Sequence, residues 1–138
     1  MDGLRIPRCY FPGYDTDSYK SLELHVFVDA SAQAFAAVAY FRIIDNGRIR
    51  VALVSSKTKV APLRGLSIPR LELMAALLGA RLQKTIRKNH LLEINKIYYW
   101  TDSSTVCSWI RSDTRRYRQF VAHRVDEILN ISSVDDWR

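Results

Sequence analysis

The chain of 138 residues is 48% hydrophobic and 25% charged, which is too apolar for a disordered segment and sufficient for one domain with its own core. It has no apolar run long enough to cross a membrane and no secretory signal. The spacing of its two cysteines fits neither a disulfide framework nor a metal site. We therefore expect an intracellular protein, cytoplasmic or nuclear and not secreted. Residues 46–138 hold 17 basic and 8 acidic side chains, against 4 and 6 in residues 1–45, which indicates either a polyanionic partner such as nucleic acid or an ordinary solvated surface.

The first part of the sequence predicts a lead-in and three strands. Residues 1–21 form the expected lead-in or linker, because prolines and a glycine interrupt any periodicity, and residues 22–138 form the expected domain. Three segments alternate strictly between two faces and are predicted as strands: Leu22–Asp29, Ala34–Ile44 and Arg48–Lys57. Asn46 and Gly47 favour the positive φ angles of a tight hairpin, so the strands are expected to form an antiparallel meander.

The second part predicts three helices and a fourth strand. A long helix is expected to begin after Ser67 as its N-cap, to carry Glu72 in its first turn and to end at Asn89. One aromatic strand and two further helices are predicted after it: strand Lys96–Thr101 and helices Ser103–Ile110 and Arg115–Leu129. The helical crossover sets the fourth strand beside the first, which predicts an α/β domain with a mixed sheet and helices on its faces.

Three carboxylates occupy the ends of these predicted elements. Asp29 ends the first strand, Asp102 ends the fourth, and Glu72 lies near the start of the long helix that crosses the same edge of the sheet. Carboxylates that converge repel one another unless a cation lies between them, and oxygen ligands without His or Cys favour Mg²⁺ or Mn²⁺. Two of them also have a structural interpretation, Asp102 as N-cap of the second helix and Glu72 as a partner of the helix dipole.

A resemblance to a known family rests on several segments in order: LHVFVDASAQAFAAVAYFR, LVSSKTKVAPL, IPRLELMAALLGARL, YYWTDSSTVCSWI and FVAHRVDEI. Together they resemble the ribonuclease H domain of Bel/Pao-type retrotransposon polyproteins, from about Pro7 to Arg138. The resemblance implies the ribonuclease H fold, a mixed sheet of order 3-2-1-4-5, and hydrolysis of the RNA strand of an RNA–DNA hybrid. It also implies that Asp29, Glu72 and Asp102 are catalytic carboxylates and ligands of Mg²⁺ or Mn²⁺, two ions in the complete family site.

The family's fourth acidic ligand has no counterpart in this sequence. In the family it follows the fifth strand, and the sequence ends at Trp137 and Arg138, about where that strand is expected to begin. Asp135 and Asp136 come before it and are therefore in the wrong place to substitute. We expect a C-terminally truncated ribonuclease H-like domain of strand order 3-2-1-4, with the fifth strand largely missing, the final helix absent and the second metal ion without its full ligand set.

Substrate contacts are expected close to the three carboxylates. A hybrid duplex is held mainly through phosphates and 2′-hydroxyls, which suits short polar side chains, cations and helix N-termini. On this basis the candidate substrate-binding residues are Ser31, Gln33, Lys57, Arg70, Ser103 and Ser104. The aromatic side chains near the fourth strand are interpreted as core rather than as platforms for base stacking.

The sequence thus predicts a metal-dependent endonuclease that acts on RNA–DNA hybrids within a retroelement polyprotein, next to a reverse transcriptase. The alternative is a catalytically impaired domain of the same fold that acts as a nucleic-acid-binding or scaffold module. The absent fourth ligand favours this alternative, and the three retained carboxylates oppose it. An integrase-like nuclease of related fold fits less well, because its glutamate comes last in the sequence.

Overall fold

The computed structural model describes residues 21–89, 93–112 and 118–138. Its elements in chain order are β1 (Ser21–Ala30), β2 (Ala34–Asp45), β3 (Arg48–Val60), α1 (Ile68–Asn89), β4 (Lys96–Trp100), α2 (Ser104–Arg111) and α3 (Gln119–Ile131), followed by a 3₁₀ turn at Val134–Asp136. The first 20 residues of the predicted lead-in lie outside the described residues, as do the first three residues of the predicted last helix, 115–117.

The strands form one mixed sheet in the order β3-β2-β1-β4, which confirms the predicted order 3-2-1-4. β2 pairs antiparallel with both β1 and β3, whereas β4 pairs parallel with β1. Asn46 and Gly47 have φ angles of 48° and 80°, as the predicted hairpin requires. The carboxyl ends of β1 and β4 therefore meet at the same end of the sheet.

β3 departs from the strict alternation that its sequence predicts. The pairing with β2 skips Val54 between Leu53 and Ser55, which makes a β-bulge. Val54 and Ser55 are consequently both buried. Ser55 lies on the other face of the sheet from Leu53, whereas strict alternation would place both residues on the same face. The strand also continues three residues past its predicted end, to Val60, because these residues still pair with the start of β2, where Val60 lies opposite Ala34.

α1 packs its apolar side against β1 and β2 and forms the centre of the core. The closest approach is at Gly79, where a Cβ would lie 2.5 Å from Val28 Cγ1 and 3.2 Å from Val26 Cγ1. Only a residue without a side chain fits this position with the present spacing of helix and strand. The contact fixes how far α1 stands from the central strand of the sheet.

The start of α1 places Glu72 later in the helix than predicted. The helix begins at Ile68, and the backbone N–H of Leu71 donates to the carbonyl of Ser67 at 3.0 Å. Glu72 is therefore the fifth residue, and its predicted position in the first turn is wrong, because Ile68–Leu71 already fill that turn. Since the helix dipole acts mainly on the first turn, its interaction with Glu72 is a weaker explanation for this carboxylate.

The last residues of the chain lie against the free side of β4. Trp137 is buried and stacks on Tyr99 with the ring centroids 4.4 Å apart. Arg138 N–H donates to the Tyr99 carbonyl at 2.9 Å, and Thr101 N–H donates to the Arg138 carbonyl at 3.1 Å. Trp137 thus forms a parallel bridge with Tyr99 at the position predicted for the beginning of a fifth strand.

A hydrogen-bonded network joins the strands on the face of the sheet opposite α1. Glu23 Oε1 accepts from Arg42 at 2.7 Å and lies 3.0 Å from His25 Nε2, while Trp100 Nε1 donates to His25 Nδ1 at 2.9 Å. Burial would raise the pKa of Glu23, but the hydrogen bonds with His25 and Arg42 outweigh it and hold that pKa below its ordinary value. The ionised form of Glu23 therefore stabilises the folded sheet.

This network makes part of the folding stability dependent on pH. Because the pKa of Glu23 is lower in the folded state, its contribution is present above the ordinary value of 4.5 and is lost as the pH falls through the folded value. We expect Glu23→Gln to lower the free energy of unfolding by about 1 kcal/mol at pH 7. Urea unfolding at a series of pH values measures this, and the two proteins should converge at acidic pH; a difference that does not change with pH would contradict the assignment.

Candidate active site

Asp29 and Asp102 lie beyond the last paired residues of two neighbouring parallel strands. β1 and β4 pair as far as Phe27 opposite Trp100, and each aspartate follows two residues later. Both aspartates therefore lie at the carboxyl end of the sheet, where β1 and β4 meet. Both residues are exposed, and Asp29 Oδ1 accepts from the backbone N–H of Ala30 at 2.9 Å.

Glu72 lies toward the same end of the sheet but in the helical layer, whereas Asp29 follows the α1-facing Val28 and lies on the other face of β1. α1 connects the parallel strands β3 and β4, so it runs antiparallel to them and begins near their carboxyl ends. Glu72 precedes Gly79 by two helical turns and therefore shares its sheet-facing side, about 10 Å further toward the carboxyl end of β1. Its side chain is half-buried.

Ser103, not Asp102, is the N-cap of α2. Ser103 is buried, and its Oγ accepts from the backbone N–H of Val106 at 3.1 Å. The prediction that Asp102 caps this helix is wrong, because the chain uses one more residue to leave β4, with Thr101 Oγ1 accepting from the Ser103 N–H at 3.1 Å. The structural interpretation of Asp102 therefore fails, and its exposed carboxylate is not used as the cap.

The capping assignment predicts a difference between neighbouring serines. Ser103→Ala should lower the free energy of unfolding by about 1 kcal/mol, because the N–H of Val106 loses its acceptor. Ser104→Ala, one residue later on the exposed side of the helix, should change it by less than about 0.5 kcal/mol. Urea unfolding of both variants measures the difference. An equal loss in both, or a larger loss in Asp102→Asn, would contradict Ser103 as the cap.

The donor chemistry at this end of the sheet fits a divalent cation. Asp29, Glu72 and Asp102 offer only carboxylate oxygens, which are hard ligands. Within residues 21–89, 93–112 and 118–138, no three His, Cys, Asp or Glu side chains are close enough to hold one ion together. Mg²⁺ is commonly bound by one or two carboxylates, with waters and substrate phosphates completing its shell. Two aspartates at one end of the sheet would suit this mode of binding.

Ser31 and Gln33 lie in the turn between β1 and β2, directly after Asp29. Ser31 Oγ accepts from the backbone N–H groups of Gln33 and Ala34, each at 3.3 Å, so this hydroxyl helps to shape the turn. Both Ser31 and Gln33 are exposed. The structure thus places these two substrate-binding candidates next to the first carboxylate.

The other candidates are placed differently. Lys57 is exposed and lies opposite Ala37 in β2, whereas Asp29 lies opposite Ala36, so Lys57 and Asp29 are on different faces of the sheet. Ser104 is exposed as the first residue of α2, directly after the buried cap Ser103. Of these three candidates, Ser104 is the one with an accessible side chain beside Asp102.

Arg70 belongs to a groove where the N-terminal ends of α1, α2 and α3 meet. The groove has a volume of about 300 Å³, and its polar lining includes Ser67, Arg70, Thr105 and Arg118. The guanidinium carbon of Arg70 lies 4.8 Å from the centre of the Phe120 ring. Thr105 lies in the first turn of α2, three residues after Asp102, whereas Arg70 precedes Glu72 by two residues and therefore projects from a different side of α1. The sequence analysis did not identify Thr105 as part of this groove. The one signal for it was that Thr105 and Trp109, four residues apart, lie on the same face of α2.

A comparison with protein families identifies the family of this chain. Residues 1–103 match the model of the Pao retrotransposon-like RNaseH-like domain. The chain belongs to this family. The match includes all three carboxylates, and together with strand order 3-2-1-4 it identifies the fold of this Pao-type domain as ribonuclease H-like. The predicted family and fold are thereby confirmed.

Solved structures similar to the Pao-type domain include nucleases of low sequence identity. RNase H1 of Halobacterium salinarum is 10% identical, with a TM-score of 0.47, over 85% of this chain and 81% of that one. The NurA nuclease of Sulfolobus solfataricus is 10% identical, with a TM-score of 0.44, over 80% and 42% of the two chains. The PPX-GPPA enzyme of Aquifex aeolicus is 7% identical, with a TM-score of 0.36, over 78% and 32%. No curated protein matches significantly.

The helices of the described part of the Pao-type domain are all too short or too polar to span a bilayer.

Proposed function

We propose that this Pao-type domain is a divalent-metal-dependent endonuclease that hydrolyses the RNA strand of RNA–DNA hybrids. The observation that carries the proposal is the parallel pairing of β1 with β4 as far as Phe27 and Trp100, which lie two residues before Asp29 and Asp102. The direction of α1, which brings Glu72 to the same end, and membership of a ribonuclease H-like family support it. The proposal includes an intracellular location and a reverse transcriptase next to the domain in its parent polyprotein.

The carboxylates would hold the metal in this proposal. Asp29, Glu72 and Asp102 would be the ligands of Mg²⁺ or Mn²⁺, with two ions in the complete family site. When bound, the cations would activate water for attack on the phosphate and neutralise the charge that develops there. The protein's own part is to fix the ligands, since Asp29 is the last but one residue of β1 and Asp102 lies between β4 and the capped helix α2. Without cations, these carboxylates would repel a phosphodiester.

The groove beside Arg70 would hold the nucleic-acid backbone next to the cleavage site. Arg70 and Arg118 supply positive charge, and the hydroxyls of Ser67 and Thr105 can donate to phosphate oxygens or 2′-hydroxyls. Such contacts position a duplex without reading its sequence. Cleavage is therefore expected to depend on the hybrid form of the substrate more than on its base sequence.

Removal of one groove cation tests this contact. Arg118→Gln should weaken hybrid binding and reduce the magnitude of the slope of log K against log salt by about one, because one phosphate contact is lost. Lys88→Gln removes the same charge at the exposed far end of α1 and should leave the slope nearly unchanged. Fluorescence anisotropy with an uncleaved hybrid, in an Asp29→Asn background, measures both variants. Equal effects would indicate diffuse attraction rather than a groove contact.

The proposed activity is tested by incubating the chain with a hybrid carrying a label on the RNA strand, with Mg²⁺, with Mn²⁺ and with EDTA. Metal-dependent cleavage of the RNA strand, with single-stranded RNA and duplex DNA left intact, supports the proposal. The second candidate is a nucleic-acid-binding module without catalysis, which the lack of a three-carboxylate cluster among the described residues favours. Salt-sensitive hybrid binding without cleavage would establish that candidate instead. If the chain neither binds nor cleaves the hybrid, both candidates are contradicted.

A further inference from the structure

A second polar cavity lies toward the opposite end of α1. It has a volume of about 240 Å³ and is lined by Gln83, Lys84 and Arg87 from α1 and by Asn130 and Ile131 from the end of α3. Gln83 follows Glu72 by 11 residues, a distance of about 16 Å along the helix axis. The cavity is therefore separate from the candidate active site, and it shares no lining residue with the groove at Arg70.

The amide of Gln83 is buried beside this cavity with half of its hydrogen-bonding capacity unused. The residue is 1% exposed, and its Oε1 accepts from the hydroxyl of Tyr99 at 3.0 Å. Burial raises the pKa of Tyr99, so its hydroxyl keeps the proton that it donates. Gln83 Nε2 has no hydrogen-bond partner and is the one such buried side-chain nitrogen or oxygen among the described residues. A buried donor without an acceptor costs about 1–3 kcal/mol, so an acceptor at this position would be stabilising.

The charges around the cavity favour an anion as that acceptor. Lys84 and Arg87 are exposed at its rim, and Asn130 adds an amide. Glu127 on α3 accepts two hydrogen bonds from Arg81, at 2.5 and 2.8 Å, and also interacts with Lys84. The C-terminal end of α3 contributes only about half a negative charge, and Asp136, which interacts with Tyr99, contributes one more. Two cations and an unsatisfied N–H donor thus face this space from α1.

We propose that this cavity binds a phosphate group, with Gln83 Nε2 and the Arg87 guanidinium as donors and Lys84 as a further cation. Tetrahedral phosphate oxygens suit this set, because they accept several N–H bonds while two cations balance their charge. The group is either a free phosphate or a phosphodiester of a nucleic-acid backbone, and the recognition chemistry is the same. The inference does not depend on the proposed nuclease activity.

The side-chain amide of Gln83 provides a local readout that binding in the Arg70 groove does not affect. Inorganic phosphate is titrated into the full chain at constant ionic strength, and the ¹⁵N–¹H signals of the Gln83 NH₂ group are followed. We expect a saturable shift of these signals. Arg87→Gln should weaken the apparent affinity at least about tenfold, and Lys88→Gln, which also removes one positive charge but lies outside the cavity, by less than about twofold. Both side chains are exposed, so both variants should fold normally.

A parallel titration with dimethyl phosphate distinguishes the two sources of the ligand. A response to inorganic phosphate alone supports a free phosphate, and a response to the diester supports a nucleic-acid backbone. If neither compound shifts the Gln83 signals, the proposal is overturned, and the partner of the Gln83 amide would then be a buried water. Equal weakening by Arg87→Gln and Lys88→Gln would also overturn it, because the attraction would then be diffuse.

Discussion

Asp29→Asn is expected to reduce metal-dependent cleavage of an RNA–DNA hybrid by about 10²-fold to 10³-fold or more. The carboxylate lies two residues after Phe27, the last residue of β1 that pairs with β4, as Asp102 lies two residues after Trp100. Loss of its charge would remove a metal ligand and the stabilisation of the transition state that the metal provides. Single-turnover cleavage with saturating Mg²⁺ measures the effect, and a near-normal rate would contradict the placement of Asp29 in the site.

The Asp29 variant should keep its fold and its substrate. The side chain is exposed, and an asparagine Oδ1 can still accept from the Ala30 N–H, so the free energy of unfolding should change by less than about 0.5 kcal/mol. Hybrid binding without metal should be unchanged or tighter, because one negative charge is removed. Asp135→Asn, the same change at an exposed position in the 3₁₀ turn, is the matched control and should leave cleavage unchanged. A loss of activity in Asp135→Asn would instead contradict the expectation that this residue cannot replace the family's fourth ligand.

The topology of the domain could be predicted because several local signals agree. Alternation in the first two strands, the Asn46-Gly47 turn and the apolar stripe of α1 each specify one element, and the crossover rule then places β4 beside β1. The sheet end that carries Asp29 and Asp102 follows from this order alone. The register supplied what the sequence lacked, namely that the two aspartates are equally far beyond the last pair, Phe27 and Trp100.

The errors in prediction occur where contacts within the folded chain decide between local alternatives. Asp102 and Ser103 are both good N-cap residues, and the hydrogen bond from Ser103 to Thr101 settles which of them caps α2. The bulge at Val54 has no local signal, because it depends on the registration of β3 against β2. The groove at Arg70 and the cavity at Gln83 each join helices that are far apart in sequence, so periodicity could reveal neither.

The position of α1 on the sheet connects the stability of the core to the candidate active site. Glu72 is on this helix, whereas Asp29 and Asp102 follow strands of the sheet. The distance between the two layers is set where Gly79 meets Val28 and Val26. A change at this contact, two helical turns from Glu72, should therefore affect both the free energy of unfolding and the rate of cleavage.

Gly79→Ala is expected to destabilise the domain by about 1–2 kcal/mol. Alanine favours a helix over glycine by up to about 1 kcal/mol. However, its Cβ would lie 2.5 Å from Val28 Cγ1, and overpacking of this kind costs about 1–3 kcal/mol. Urea unfolding measures the net effect. Gly65→Ala is the control, because a Cβ there meets nothing within 4 Å, and the free energy of unfolding should change by less than about 0.5 kcal/mol.

A double-mutant cycle with Val28→Ala separates the steric effect from the helix propensity. Val28→Ala removes the methyl group that the new Cβ would contact, so Gly79→Ala should cost at least about 1 kcal/mol less in this background than alone. If α1 moves away from the sheet in the single variant, Glu72 moves relative to Asp29, and the maximal cleavage rate should fall there and recover in the double variant. Recovery of stability without recovery of cleavage would mean that the spacing of the layers does not control the site. An additive cycle would show that the tight contact between Gly79 and Val28 does not set that spacing.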